Sequence, residues 1–185
     1  MKRTTMERVL TSRKVYAGHI LSLRVDEVEM PSGRKTKREV VEHGPAVCVL
    51  ALTKDGALLV RQFRYGVGEE MLEVCAGLAE EGEDLKEAAA REMQEELGYF
   101  PSDLREIGHF YVSPGYCTEE LTLFLATDLR ASSLPQDDDE DVQMVEVCYE
   151  EIPALLAEGR VRDAKTLVAL SWLMAWKGLK PQTPL

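Results

Sequence analysis

Residues 46–53 (AVCVLALT) and 57–65 (ALLVRQFRY) are two apolar runs joined by Lys54-Asp55-Gly56. Asp-Gly supplies the turn conformation that matches strand twist, so the pair reads as a β-hairpin. Stretches such as VCVLAL and ALLV lack the polar alternation of a half-solvated strand, and such strands need cover on both faces. That requirement narrows the fold to a sheet with a layer on either side.

The rest of the chain supplies those layers. Further strands are expected over residues 20–30, 39–42, 71–75, 104–112, 121–128 and 142–149, with Pro31-Ser32-Gly33 turning between the first two. Three helices are expected. Residues 85–97 follow Asp84, a suitable N-cap, with Glu87 three positions on as in a capping box; Gly98 suits the left-handed position after the last turn. Residues 151–158 carry Pro153 in the first turn and stop at Gly159. Residues 164–177 follow Asp163 and offer Leu167, Leu170, Met174 and two tryptophans for packing. Strands with helices among and after them give an α/β protein, helix on mixed sheet on helix.

At 185 residues the chain suits one domain, or one domain with an arm, and can hold a core without disulfides. Cys48, Cys75, Cys117 and Cys148 show no CxxC spacing or histidine pairing, so they read as free thiols, mostly buried, in a reducing cytoplasm. No apolar run approaches the ~20 residues needed to cross a bilayer. Glu7 interrupts the basic N-terminus and no apolar stretch follows it, so no signal peptide is expected. The net charge of −11 argues against nucleic acid and against anionic membranes, both of which call for clustered Lys and Arg. His19, His43 and His109 are scattered and receive no chemical role.

The charge is uneven. Residues 1–40 hold ten bases and five acids, whereas residues 80–96 and 137–151 each hold eight acids. Either acidic run could be a solvated face. In the first, GLAEEGEDLKEAAAREMQEELGY, Glu92 and Glu96 are four apart on the expected helix and share a face, with Glu95 adjoining. Leu85, Ala89 and Met93 make an apolar stripe on the other side. Carboxylates gathered this way suit a hard divalent ion, Mg²⁺ or Mn²⁺, and lack the soft donors of a zinc site.

Gly77, five residues, Glu83, seven residues and then Arg91-Glu92-Met93-Gln94-Glu95-Glu96-Leu97-Gly98 resembles the Nudix box at every fixed polar and glycine position. Tyr99 departs from it, standing where the family usually carries an aliphatic residue. The resemblance runs from about Arg38 to Trp176. It implies a Nudix α/β/α sandwich with a mixed sheet over residues 41–185, plus an N-terminal antiparallel strand arm over residues 1–40 that forms a homodimer. It also implies Mg²⁺-dependent cleavage of a diphosphate, with Glu92, Glu96 and the backbone carbonyl of Ala76 as metal ligands and Glu95 supporting them. Glu83 and Arg91 would shape the loop and helix by pairing.

Pro114, sixteen residues beyond Gly98, resembles the ADP-ribose pyrophosphatase branch, as do Arg61-Gln62-Phe63-Arg64-Tyr65 and Glu73-Val74-Cys75-Ala76-Gly77. That branch implies hydrolysis of ADP-ribose to AMP and ribose 5-phosphate. Its general base would be a glutamate after the box, matched here by Glu140, with Asp138 and Asp139 competing. Arg64 is a candidate for the phosphates, Glu73 for an adenine amine or ribose hydroxyl unless it pairs with a base, Ser113 for the terminal ribose and Arg38 for stacking on adenine. Three alternatives stand beside this reading: a hydrolase of another nucleoside diphosphate sugar such as GDP-mannose, a nucleotide-sensing Nudix module without catalysis, and an interaction protein built on the C-terminal helix.

Overall fold

The computed structural model describes residues 6–136 and 141–179. They divide into two compact units, one running to Pro45 and including Tyr111–Glu120, the other formed by Ala46–Phe110 with the chain from Leu121 onward.

In the first unit β1 (Arg8–Ala17), β2 (Leu21–Glu29) and β3 (Lys35–His43) form an antiparallel sheet in that order. The apolar pattern does not announce β1, because RVLTSRKVYA buries no side chain fully. It is held instead by its ladder to β2 and by ion pairs such as Arg8–Glu29 at 2.7 Å. Residues 111–120 close on β3: Val41 N donates to Tyr116 O at 2.8 Å and Thr118 N to Val41 O at 2.9 Å.

The second unit carries β4 (Ala46–Leu52), β5 (Gly56–Arg64), β6 (Glu69–Glu73), β7 (Cys75–Leu78), β8 (Tyr99–Tyr111), β9 (Glu120–Ala131) and β10 (Val142–Cys148). The strand order is β10-β5-β4-β9-β8, with β4 parallel to β9 and antiparallel to β5, so the sheet is mixed as expected. Gly56 sits in the hairpin turn because a side chain there would run into the Val147 carbonyl on β10.

The sheet forks between β4 and β5. Ala51 and Leu52 pair with β5, whereas Ala46, Val47, Cys48 and Val49 pair with β7; the far half of β5 pairs with β6. The single strand expected over 71–75 is therefore two. Its break falls at Val74, whose N–H leaves the sheet and donates to Thr166 Oγ1 at 2.8 Å.

β4 is buried along its whole length, and its alternate residues belong to two cores. Cys48, Leu50 and Leu52 join Leu123, Leu125, Leu170 and Leu173 on the side of α2 (Ile152–Ala157) and α3 (Ala164–Lys177). Val47, Val49 and Ala51 join Ala89, Met93, Leu97 and Phe124 on the side of α1 (Leu85–Glu92). Burying a Leu or Met side chain contributes about 1.5–3 kcal/mol, so the cores on both faces hold the layers together. Asp84 caps α1 as expected, accepting from Lys86 N at 2.9 Å, and Asp163 caps α3, accepting from Thr166 N at 2.9 Å. The helix after α1 does not stay α: Met93–Leu97 is a π-helical turn, ended by Gly98 at φ 74°. Among the described residues no helix is long and apolar enough to cross a membrane.

Candidate active site

The site is assembled where the end of β7 meets the helix that runs from α1 into the π turn. Ala89 and Met93 anchor this helix in the core, which turns Glu92 and Glu96 toward β7. Both carboxylates are largely buried, at 8% and 5% exposure. Glu96 Oε2 accepts from Ala76 N at 3.1 Å. The Glu92 carboxylate lies against Gly77 so closely that a Cβ on that glycine would occupy the same space. Gly77 is thus required for close approach.

Arg91 ties this unit together. Its Nε donates to Glu83 Oε1 at 3.0 Å, its Nη1 to Glu92 Oε1 at 2.8 Å and to Glu95 Oε2 at 2.9 Å, and its Nη2 to the Leu78 carbonyl at 2.9 Å. A planar guanidinium is suited to such a set, because its five donors point in fixed directions. Glu83 also accepts from Glu80 N at 2.8 Å, fixing the loop before the helix. The Arg91 hydrogen bond holds the Glu83 carboxyl below its ordinary value, against the opposing effect of burial. In turn Glu83, ahead of Glu92 and Glu95, pushes the Arg91 guanidinium further up. Burial, reinforced by Glu96, pushes the Cys75 thiol well up, so it stays a neutral thiol beneath the carboxylates.

The Glu92 and Glu96 carboxylates both lie against β7 and offer only oxygen donors, the kind that suits a hard divalent cation. Among the described residues no three carboxylate, imidazole or thiol side chains close a cage round one ion. Mg²⁺ does not need a closed cage, since it keeps several waters and takes one or two carboxylates.

A second polar cluster lies beyond the fork of the sheet. Glu73 is 1% exposed and accepts a two-pronged bond from Arg64, Nε to Oε1 at 2.8 Å and Nη2 to Oε2 at 2.7 Å. Lys165 Nζ reaches the same Oε2 and also Asp163 Oδ1 at 3.1 Å. Burial raises the Glu73 carboxyl, but Arg64 and Lys165 together outweigh it, and the net shift is downward. The Glu73 hydrogen bond raises Arg64 in its turn. Glu73 therefore pairs with bases, one of the two readings its sequence position allowed. Nothing in the sequence pattern pointed to Lys165, which looks like an ordinary first-turn helix residue.

Arg38 and Ser113 lie in the first unit. Arg38 pairs with Glu7, Nε to Oε2 at 3.0 Å, and the Ser113 carbonyl accepts from Tyr116 N and Cys117 N in a turn. Glu140, Asp138 and Asp139 lie outside the described residues, so the base has no place in this geometry. Of the four cysteines, all free, Cys48 and Cys75 are buried while Cys117 is intermediate and Cys148 exposed, so burial is less general than expected.

Residues 42–170 match the NUDIX domain family, and residues 7–41 match the nucleoside diphosphate sugar hydrolase N-terminal domain. The ADP-ribose pyrophosphatase of Bacillus subtilis (strain 168) is 37% identical over 179 residues, 95% of this chain and 97% of that protein. The methanol dehydrogenase activator of Bacillus methanolicus is 33% identical over 177 residues, 94% of this chain and 96% of its own. Among solved structures, an ADP compounds hydrolase superposes with a TM-score of 0.86 at 25% identity, covering 96% of this chain and 98% of that one.

Proposed function

The chain belongs to the Nudix family, and from that premise we propose that it is an ADP-ribose pyrophosphatase, hydrolysing ADP-ribose to AMP and ribose 5-phosphate. The observation that carries this reading is the Glu92 carboxylate set against Gly77 beside Glu96 on Ala76 N, in a chain similar over nearly its whole length to an ADP-ribose pyrophosphatase.

Glu92, Glu96 and the Ala76 carbonyl would hold Mg²⁺, or Mn²⁺ in its place, with Glu95 supporting the pair. Bound there, the ion supplies charge neutralisation and a lowered pKa for the attacking water. Arg64 binds the diphosphate: Nε and Nη2 are turned to Glu73, while Nη1 has no hydrogen-bond partner among the described residues and is left for a phosphate oxygen. Glu140 takes the proton from water as its oxygen attacks phosphorus, and the P–O bond to the other phosphate breaks. Arg38 meets Glu7 through its edge, which leaves the flat face of the guanidinium for adenine, and Ser113 serves the terminal ribose. Residues 1–40 act as the strand arm of a homodimer and residues 41–185 as the hydrolase domain, in the cytoplasm.

The match of residues 7–41 to a nucleoside diphosphate sugar hydrolase domain favours a second reading, in which another such sugar is the main substrate. Turnover of ADP-ribose, GDP-mannose and NADH side by side with Mg²⁺ decides between them. ADP-ribose should have the highest kcat/KM; a strong preference for either of the others overturns the substrate assignment. Turnover of none of the three would indicate a nucleotide-sensing module.

A further inference from the structure

The first turn of α3 is wired to Arg64. Asp163 accepts from Thr166 N at 2.9 Å and from Thr166 Oγ1 at 2.6 Å, and Thr166 Oγ1 in turn accepts from Val74 N at 2.8 Å. Lys165, between them, bridges Asp163 and Glu73, and Glu73 grips Arg64 with both oxygens. Thr166 is wholly buried, and the Lys165 and Glu73 side chains are 12% and 2% exposed. As far as Glu73 the path therefore runs through groups with little access to water, where charged hydrogen bonds are strongest, and it reaches water only at Arg64.

Two donors share the Glu73 carboxylate, Arg64 through Nε and Nη2 and Lys165 through Nζ, so Lys165 fixes where Glu73 lies and Glu73 fixes how Arg64 is turned. The charges of Lys165 and Asp163 cancel one another, so what Lys165 supplies is placement of the carboxylate. Asp163 fixes Lys165 in place and caps α3 at the same time.

The geometry points to Lys165 as a positioning residue for substrate binding: held by the α3 cap, it sets the Glu73–Arg64 pair so that the Arg64 guanidinium meets the substrate diphosphate. This inference rests on the reading of Arg64 as a phosphate ligand, and its test separates the two. Lys165→Met, Lys165→Gln, Lys165→Arg and Arg64→Gln are compared with the parent full-length protein on ADP-ribose with Mg²⁺, measuring KM and kcat apart and the thermal midpoint.

A merely structural fault shrinks the folded fraction, which lowers apparent kcat at unchanged KM. A positioning fault raises KM in whatever protein folds. Lys165→Met and Lys165→Gln should raise KM about 10- to 100-fold, the range for losing an ionised hydrogen-bond partner, and Lys165→Arg should recover most of it. If both neutral variants keep the parent KM while Arg64→Gln raises it, Lys165 has no positioning role and the Arg64 reading stands. Should Arg64→Gln leave KM unchanged, the Arg64 reading falls and the inference with it.

Discussion

The Glu92 carboxylate lies where a side chain on Gly77 would have to be. The glycine and the glutamate are fifteen positions apart in sequence, yet the glycine cannot gain a side chain while the glutamate stays where it is. Overpacking of this kind typically costs about 1–3 kcal/mol and shifts backbone. Gly77→Ala should lower stability by about that much and displace Glu92, with Mg²⁺-dependent turnover falling more than the folded fraction does. Circular dichroism melts beside steady-state kinetics would show it, and equal losses in both would count against a role for Glu92.

Glu92→Gln and Glu96→Gln each remove a charged donor while keeping shape. If these groups hold the ion, each variant should lose several kcal/mol of transition-state stabilisation, on the order of 10²–10³-fold in rate. Weakened Mn²⁺ binding, followed by electron paramagnetic resonance, gives a readout independent of turnover. Unaltered hydrolysis in both variants would falsify the catalytic assignment.

Arg91→Lys keeps the charge and loses the fork. One ammonium cannot serve Glu83, Glu92, Glu95 and the Leu78 carbonyl together. Stability should drop by about 1–3 kcal/mol, since charged acceptors lose their donor. The loop before the helix should also become more open to protease, which limited proteolysis would detect.

Glu73 makes stability depend on pH with a defined sign. Its carboxyl sits below the ordinary value in the folded protein, through Arg64 and Lys165 acting against burial. Its contribution is complete above the unfolded carboxylate value, about 4.3, and is lost as pH falls through the folded one. At neutral pH Glu73→Gln should cost roughly 3 kcal/mol, the low end for a broken buried pair because Arg64 retains some water. Denaturant titrations across pH 3–7 should show this deficit narrowing in acid, below about pH 4. A deficit independent of pH would mean that the carboxylate charge is not what Glu73 contributes.

Features governed by neighbours in sequence were open to direct reading. The Asp-Gly signal placed Gly56 in its turn, whereas the Val147 carbonyl against it was not legible. Asp84 and Asp163 cap their helices and Gly98 takes the left-handed position, each for reasons visible within a few residues. The same holds for the Gly77-to-Gly98 spacing that brings the box glutamates to one side. Features governed by distant partners were not. The break at Val74 depends on Thr166, and the worth of Lys165 depends on Glu73, each 92 positions away. Nor did alternation find β1, since a strand that buries no side chain fully leaves no apolar period to detect.

The π turn makes this helix sensitive to its length as well as to its composition. A regular turn closes on the fourth residue, whereas Met93–Leu97 closes on the fifth and so stores one residue more. Gln94 lies in it, and its side chain donates to Ser132 Oγ at 2.8 Å. Substituting Gln94 should be tolerated. Deleting it would let the turn close on the fourth residue, so that Glu96 stands three positions from Glu92 instead of four and is moved off its bond to Ala76 N. Turnover should then vanish while helix content by circular dichroism holds; retained turnover would show that the surplus residue is not counted. In evolutionary terms the stretch can change its letter at Gln94 but not the number of residues around it.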